Sequence, residues 1–238
     1  VQYSKTLSPK SGWFRRHVFG TRPAFSFRAV ISSLHGEHRY NEVHLPWSLS
    51  VSLFKQHLLN KLHRRGMPPA KANQYLQDHI ETFSELLSEL FDELIEEATE
   101  QSRQEAIRRS GSILHRMVNL PVDLQYDSGI GTIIQRNPSL KRLSAQRFFI
   151  TKIKKDPAIN TISLSVLVLK GPNADFDGDA LNGILILDTV IRRGLERLAP
   201  HYAVMDTHVP FKVSGDLALP GPTLSTFDRW LSSSPASL

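Results

Sequence analysis

The stretch at residues 173–179 reads Asn-Ala-Asp-Phe-Asp-Gly-Asp. It follows an apolar, β-branched run at 162–169 and precedes another at 184–187, so it is predicted to connect two strands. Three carboxylates at alternate positions can converge on one hard cation, because the glycine lets the backbone turn tightly. The ligand type therefore predicts a magnesium site formed by Asp175, Asp177 and Asp179.

The same residues allow two other interpretations of this loop. Aspartate and glycine also favour an ordinary solvated turn, but such a turn would hold three like charges together without a counter-ion. An EF-hand calcium loop needs glycine at its sixth position and an acid at its twelfth. Counted from Asp175, those positions are Ala180 and Ile186, which excludes the calcium loop.

Composition and charge exclude several classes of protein. The 238 residues include no cysteine, which removes disulfides, thiolate nucleophiles and Cys-ligated zinc. We find no membrane-spanning run and no secretory signal, so a soluble intracellular protein is expected. The net charge is +6, but nine acids and one base lie at 70–100, which leaves 28 of the 29 bases and 14 of the 23 acids elsewhere. This imbalance favours a polyanionic partner, with nucleic acid the first choice and an anionic membrane the second.

Hydrophobic periodicity predicts helices in the first half of the chain and strands in the second. One helix is expected from Pro46 to Gly66. A longer acidic helix should follow, with an apolar stripe of Leu76, Ile80, Phe83, Leu87, Leu90 and Leu94. Such a stripe most commonly packs on its own domain, with the acids solvated, or it pairs with a helix at 107–118. The predicted strands are 132–134, 148–153, 162–169 and 184–187.

A second motif at 135–142 reads Gln-Arg-Asn-Pro-Ser-Leu-Lys-Arg. A loop stiffened by proline and carrying three cations can hold phosphates or sugar hydroxyls beside a metal, Arg136 through its fork of donors. The motif is weak on its own, because surface arginines are usually just solvated. Three histidines, His35, His38 and His44, lack a fourth ligand and do not favour a zinc site.

Four segments, taken together, resemble a known family. The loop at 173–179 is letter for letter the signature of the largest, β′-type subunit of multisubunit DNA-dependent RNA polymerases. Residues 135–142 resemble the family's Asn-Arg-Ala-Pro-Thr-Leu-His-Arg block, and 45–55 resemble its Leu-Pro…Leu-Phe-Lys helix. Residues 10–31 resemble its Lys-x-Gly-x-Phe-Arg, Gly-Lys-Arg and Ser-Gly-Arg-Ser-Val-Ile segments. The sequence departs from the family pattern, as a distant relative would, at Phe27, Gln135, Asn137 and Lys141.

The resemblance implies a fold and a domain organisation. The fold class is α+β, with a double-psi β-barrel catalytic core at 31–190 and a helical insertion around 68–119. A basic, switch-like segment at 1–30 would contact template DNA, and a loop-rich extension with a frayed tail would occupy 191–238. We hypothesise that the apolar stripe of the acidic helix docks on another subunit.

The resemblance also implies a site. Asp175, Asp177 and Asp179 match the catalytic ligands of Mg²⁺ in a two-metal mechanism, in which one ion is held by the aspartates and one arrives with the nucleotide. Substrate ribose hydroxyls would be recognised by Arg136 and Asn173. The template DNA backbone would be gripped by Lys10, Arg15, Arg22 and Arg28.

The implied function is that of a catalytic-core fragment of a DNA-directed RNA polymerase, which adds NTPs to the 3′-hydroxyl of an RNA transcript. It would be active only with other β′- and β-like subunits, and no membrane is expected among its partners. The divergent sequence is most similar to the split subunits of giant bacteriophages, which implies the cytoplasm of an infected bacterium, with carriage in the virion as a further option. That the sequence is a truncated piece of a longer subunit is an open alternative to a split subunit. The alternative function is a noncatalytic scaffold or nucleic-acid-binding subunit, whereas a single-chain silencing-type polymerase needs far more than 238 residues.

Overall fold

The computed structural model describes residues 23–110, 128–204, 212 and 220–233. The expected DNA contacts of Lys10, Arg15 and Arg22 lie outside these ranges. So do residues 111–118 of the helix partner expected at 107–118, and residues 234–238 of the tail expected to be frayed. The strands are β1 (Ser26–Ser33), β2 (Glu42–Leu45), β3 (Ile130–Gln135), β4 (Ala145–Ile153), β5 (Ile162–Leu164) and β6 (Ala180–Leu185). The α-helices are α1 (Trp47–Leu53), α2 (Lys55–Arg64), α3 (Pro69–Asp78), α4 (Glu85–Ser110), α5 (Thr189–Gly194) and α6 (Gly221–Ser233).

The strands close into a barrel in the order β1-β5-β2-β4-β3-β6. The pairs β1/β5 and β2/β4 are parallel, and the other neighbours are antiparallel. Closure leaves no unpaired edge, and β-branched and aromatic residues suit the pleated strands. The predicted α+β class with a β-barrel core is confirmed. The barrel strands contribute fully buried side chains, among them Val43, Leu45, Ile150 and Ile162.

The helices α1 to α4 lie between β2 and β3 in the chain. The prediction of one helix from Pro46 to Gly66 is wrong in one respect, because α1 and α2 are separated at Phe54. Phe54 leaves the helical conformation (φ −93°, ψ 12°) while its side chain is 2% exposed in the core. The limits of the predicted domains remain a prediction.

The acidic helix is not continuous, which corrects the sequence prediction. α3 ends at Asp78 and α4 begins at Glu85. The hydroxyl of Ser84 accepts a hydrogen bond from the Leu87 amide at 3.4 Å, as an N-cap does, and the indole of Trp47 donates to the His79 carbonyl at 2.8 Å. These contacts satisfy backbone groups at the break between the two helices.

The apolar stripe of α4 faces the chain's own core. Leu87 and Leu90 are both fully buried, and α4 packs against β3 and β4. The hypothesis that this stripe docks on another subunit is therefore wrong for those two residues. Phe83, which lies in the break between α3 and α4, is the stripe residue with the largest exposure, at 43%.

Part of the acidic face pairs with basic side chains of the neighbouring helix instead of being solvated. Lys61 of α2 forms ion pairs with Glu93 at 3.1 Å and Glu97 at 2.6 Å. Burial lowers the pKa of Lys61, but the hydrogen bonds to Glu97 and Glu93 outweigh it, and the net effect is a raised pKa. Arg65 similarly contacts Glu93. These pairs fasten α4 to α2.

Two local features explain the early end of a predicted strand and the unusual residue at position 27. The strand predicted at 162–169 stops at Leu164, because the Ser165 hydroxyl accepts from the Leu167 amide and starts a 3₁₀ turn. Phe27, which stands where the polymerase family has glycine, lies against Gly183 of β6. A Cβ atom at 183 would overlap the Phe27 ring, so the glycine makes room for the aromatic side chain.

None of the described helices combines the length and the apolar composition that a membrane-spanning helix needs.

Candidate active site

The loop at 173–179 is held at both ends by backbone hydrogen bonds. At its start, the Asn173 amide donates to the Lys170 carbonyl at 3.2 Å, and the Ala174 amide donates to the Leu169 carbonyl at 3.1 Å. At its end, the Asp179 carbonyl accepts from the Ile31 amide of β1 at 3.0 Å. The turn that follows β5 therefore fixes where the loop begins, and β1 fixes where it ends.

Alternation within the loop separates packing side chains from carboxylates. Ala174 and Phe176 pack against the hydrophobic core, whereas Asp175 and Asp177 are exposed. Gly178 has a φ of +112°, a conformation that side chains with a Cβ rarely adopt. The tight turn expected from the glycine is thus present, and it follows directly after the second aspartate.

Asn173 also has a left-handed backbone, with a φ of +54°. Asparagine is one of the few residues that adopts this region readily, so its place at the loop start has a conformational reason. Its side chain is exposed. Asn173 thus lies on the same loop as the aspartates. Its contact with a substrate ribose remains a prediction.

The second predicted motif meets the loop through one residue. Arg136 follows β3, and its amide donates to the Ser144 carbonyl at 3.1 Å. The Arg136 guanidinium donates to both carboxylate oxygens of Asp179, from Nε to Oδ2 at 3.0 Å and from Nη2 to Oδ1 at 3.1 Å. We expected Arg136 to lie beside the aspartate loop, and in the structure a bidentate ion pair joins the two.

The carboxylate of Asp179 also accepts from the Asp175 amide at 3.1 Å. The hydrogen bond from Arg136, followed by that from the Asp175 amide, holds the pKa of Asp179 below its ordinary value. The carboxylate of Asp175 accepts from the Phe176 amide at 2.7 Å. Hydrogen bonds within the loop thus stabilise its conformation. Of its three acids, Asp179 already has a cationic partner, Arg136.

The donor set agrees in type with a magnesium site. Three carboxylates on one loop supply the oxygen ligands that a small hard cation prefers. Their arrangement is more open than a bound ion requires, since within the described ranges no three acidic or histidine side chains are gathered closely enough to hold a metal. Asp175, Asp177 and Asp179 remain predicted ligands, with Asp179 turned toward Arg136.

Arg28, the described member of the predicted DNA contacts, lies on β1 and is exposed. In the strand register it is directly opposite Asn182 of β6, and Asn182 is opposite Gln135 of β3. These three side chains form one polar row, because directly paired residues share a face of the sheet. The row lines a groove of about 690 Å³. We did not predict Asn182 from the sequence, because the strand expected there began only at residue 184, whereas β6 begins at Ala180.

The remaining residues of the 135–142 motif shape its own loop. The Gln135 side chain donates to Asn137 at 3.3 Å and also to the hydroxyl of Ser139. The Lys141 amide donates to the Ser144 hydroxyl at 3.0 Å. The structure therefore brings Arg136 to the aspartates, whereas the side chain of Lys141 is exposed.

Comparison with known proteins identifies the family. The model of the family described as RNA polymerase Rpb1, domain 2 matches residues 20–199, which span the barrel and its helices. The chain belongs to this family. The β′ subunit of the DNA-directed RNA polymerase of a Sulfurovum species is 29% identical over 180 residues, and that of Methylacidiphilum infernorum is 26% identical over 201 residues.

The relatives are much longer than this chain. The match to the Sulfurovum subunit covers 75% of the chain and 9% of that protein. The match to the Methylacidiphilum subunit covers 83% and 12%. A third β′ subunit, from Campylobacter jejuni, is 27% identical over 180 residues, 75% of the chain and 9% of that subunit. The chain thus corresponds to about a tenth of the curated relatives, and the similarity supports a role in a DNA-directed RNA polymerase.

Proposed function

We propose that this chain supplies the catalytic loop of a DNA-directed RNA polymerase and acts in Mg²⁺-dependent nucleotidyl transfer to the 3′-hydroxyl of RNA. The observation that carries the proposal is the loop itself. Two of its carboxylates, Asp175 and Asp177, are exposed, and the third bonds a guanidinium. Backbone hydrogen bonds to the preceding turn and to β1 hold the two ends of the loop. Family membership adds that the loop is set in a polymerase domain.

Asp175, Asp177 and Asp179 would hold the ion. When bound, Mg²⁺ would supply charge that stabilises the attacking and leaving oxygens of an in-line displacement. The chain's own residues would position the reactants around it. Because Ala174 and Phe176 anchor the loop in the core, the exposed carboxylates keep a defined place relative to the barrel.

Arg136 and Asn173 would bind ribose hydroxyls of the nucleotide or of the RNA end. The five donors of a guanidinium suit hydroxyl and phosphate oxygens, and Arg136 starts from a fixed point at the end of β3. Arg28 would contact a template phosphate in the groove that it lines with Asn182 and Gln135. A contact of this kind positions the strand without reading its sequence.

The activity is proposed for a complex. The chain corresponds to a small part of its relatives. Other β′- and β-like parts of a polymerase would provide the remaining surfaces for DNA, RNA and NTPs. That those pieces are separate chains, as in giant bacteriophages, remains part of the proposal. The cytoplasmic and virion locations remain predictions of the same kind.

One observation favours a second function, that of a noncatalytic scaffold. Arg136 already neutralises Asp179, so the loop holds its fold with an internal counter-ion. A subunit that had lost catalysis could keep such a loop for structural reasons. Asp175 and Asp177 weigh against this, because two exposed carboxylates on one short loop serve no packing role.

The experiment that separates the two functions is template-directed extension of an RNA primer by the complex purified with this chain. Wild type is compared with Asp177→Asn at equal subunit composition, and Asp92→Asn, an exposed acid of α4, is the matched control. We expect Mg²⁺-dependent extension in wild type and control, and loss of extension by at least about 10²-fold in Asp177→Asn. Equal extension by all three complexes would assign the chain to the scaffold function.

A further inference from the structure

The ion pair between Arg136 and Asp179 occupies the carboxylate that the proposed metal site needs. Both oxygens of Asp179 are engaged by the guanidinium, at 3.0 Å and 3.1 Å. The two side chains are 25% and 24% exposed, so the pair is partly shielded from water. Asp175 and Asp177 have no such cationic partner among the described hydrogen bonds and ion pairs.

A divalent cation and a guanidinium compete for such a carboxylate. An oxygen that coordinates a metal cannot keep a full charge-assisted hydrogen bond in the same direction, and the two cations repel each other at contact distance. The proposed ion can therefore use Asp179 as a ligand only if Arg136 gives up at least one of its two contacts.

The exchange needs only side-chain movement. The Arg136 backbone is bonded to Ser144, and the Asp179 backbone is bonded to Ile31 of β1. Both anchors are hydrogen bonds of the barrel and its adjoining turn, and neither involves the guanidinium or the carboxylate. Rotation of the Arg136 side chain would free Asp179 while the loop keeps its ends in place.

We propose that Arg136 is the resident counter-ion of Asp179 and is exchanged for the divalent cation, so that metal binding releases the guanidinium toward the nucleotide. This rests on the proposed function and adds to it how the site is regulated. In the metal-free state the guanidinium keeps Asp179 ionised and the loop folded. In the metal-bound state the same guanidinium is available to an anionic or hydroxyl-bearing substrate.

Coupling of this kind is reciprocal. If metal binding frees Arg136 and so raises the affinity for a nucleotide, then bound nucleotide must raise the affinity for the metal by the same factor. The order of binding is then immaterial, and metal and nucleotide favour each other at one site. Arg136 is in this respect a positioning residue for the metal, because it acts on the ion through Asp179.

The test is Mn²⁺ binding to the full chain, followed by the electron paramagnetic resonance signal of free Mn²⁺. Wild type is compared with Arg136→Gln and Arg136→Lys, and Arg103→Lys, at an exposed ion pair of α4, is the control. Lysine keeps the charge but loses the bidentate fork. We expect both Arg136 variants to bind Mn²⁺ about tenfold more tightly than wild type, since each lacks a charge-assisted fork that must be broken.

The lysine variant separates exchange from simple charge repulsion. If only Arg136→Gln binds more tightly, the effect is that of a nearby charge and the proposal is overturned. Weaker binding by both variants also overturns it. An independent readout uses the wild-type chain with ¹⁵N-labelled arginine: Mg²⁺ must shift one Nε–H resonance, and no shift at saturating Mg²⁺ counts against the exchange.

The same titration distinguishes failure of this inference from failure of the proposed function. If Asp177→Asn abolishes Mn²⁺ binding while Arg136→Lys matches wild type, the metal site stands and the exchange does not. If Asp177→Asn binds Mn²⁺ as wild type does, the loop is not the metal site and both proposals are overturned. Circular dichroism of each variant checks that the fold is retained.

Discussion

The three aspartates of the candidate site are chemically identical but have different surroundings. Asp179 is paired with Arg136, Asp175 bonds an amide of its own loop, and Asp177 is exposed. The spacing in the sequence predicts that the carboxylates share one loop. It does not predict the pair with Arg136, because that contact joins residues 43 positions apart and depends on how β3 and β6 are paired.

Gly178 provides a residue-scale test of the loop. Its φ of +112° strains any residue with a Cβ, although a Cβ would meet no neighbouring atom within 4 Å. We expect Gly178→Ala to lower the free energy of unfolding by about 1 kcal/mol or more, through the backbone alone. The measurement is urea unfolding of the full chain. Gly194→Ala is the control, because that glycine has open space and lies in α5, where alanine is favoured. Equal stability of both variants would contradict the strained turn.

His44 provides a second residue-scale prediction. Burial, with the nearby charges of Lys152 and Lys154, lowers its pKa to about 4 from an ordinary value of 6.5. Between these pH values the unfolded chain binds a proton that the folded chain does not, so stability falls as the pH is lowered from 6.5 toward 4. The measurement is thermal unfolding at pH 7.5 and at pH 4.5.

We expect His44→Gln to lose less stability than wild type over this interval, by about 1–2 kcal/mol once partial exposure of the ring is allowed for. The other titrating groups are common to both chains, so the difference isolates His44. Parallel losses in the two chains would mean that the folded protein tolerates a charged imidazole at this position.

At the scale of elements, α4 shows both the strength and the limit of sequence patterns. The stripe correctly marks Leu87 and Leu90 as buried, because helical periodicity reports which face is apolar. The pattern also runs through 79–84, where the structure has no α-helix. We did not predict the N-cap contact of Ser84, and the hydrogen bond from Trp47 to the His79 carbonyl is a tertiary contact that no local pattern contains.

The packing of α4 is tested by truncating its buried face. Leu90 is fully buried between the helices and the barrel, so Leu90→Ala removes core contacts and leaves a cavity. We expect a loss of about 2–5 kcal/mol in the free energy of unfolding, measured by denaturant titration. Glu96→Ala, on the exposed face of the same helix, should change it by less than about 0.5 kcal/mol. A small effect at Leu90 would mean that the stripe is free for another partner.

At the scale of the molecule, most strands were predicted, whereas their order in the barrel was not. The predicted runs at 132–134 and 148–153 lie within the observed strands Ile130–Gln135 and Ala145–Ile153. The barrel also needs β1 against both β5 and β6, which are more than a hundred residues away in the chain. Pairings of that kind came from the resemblance to a family. Local periodicity carries no information about them.

The whole molecule also places its charges unevenly. The acids of α4 are partly neutralised by α2, while the candidate loop and the polar row of Arg28, Asn182 and Gln135 lie on the barrel. The barrel therefore carries the surfaces proposed for nucleic acid and nucleotide, and α4 supports it by packing against β3 and β4. Family membership places this arrangement in a β′-type polymerase domain.

The most direct test of the central claim asks where the ion binds in the assembled complex, independently of activity. Fe²⁺ is substituted for Mg²⁺ in the complex, and hydroxyl radicals formed at the bound iron cut the nearest polypeptide. We predict a cut within or beside residues 173–179 that excess Mg²⁺ suppresses and that Asp177→Asn abolishes. Mg²⁺-sensitive cuts confined to other polypeptides of the complex would show that this chain does not hold the catalytic ion.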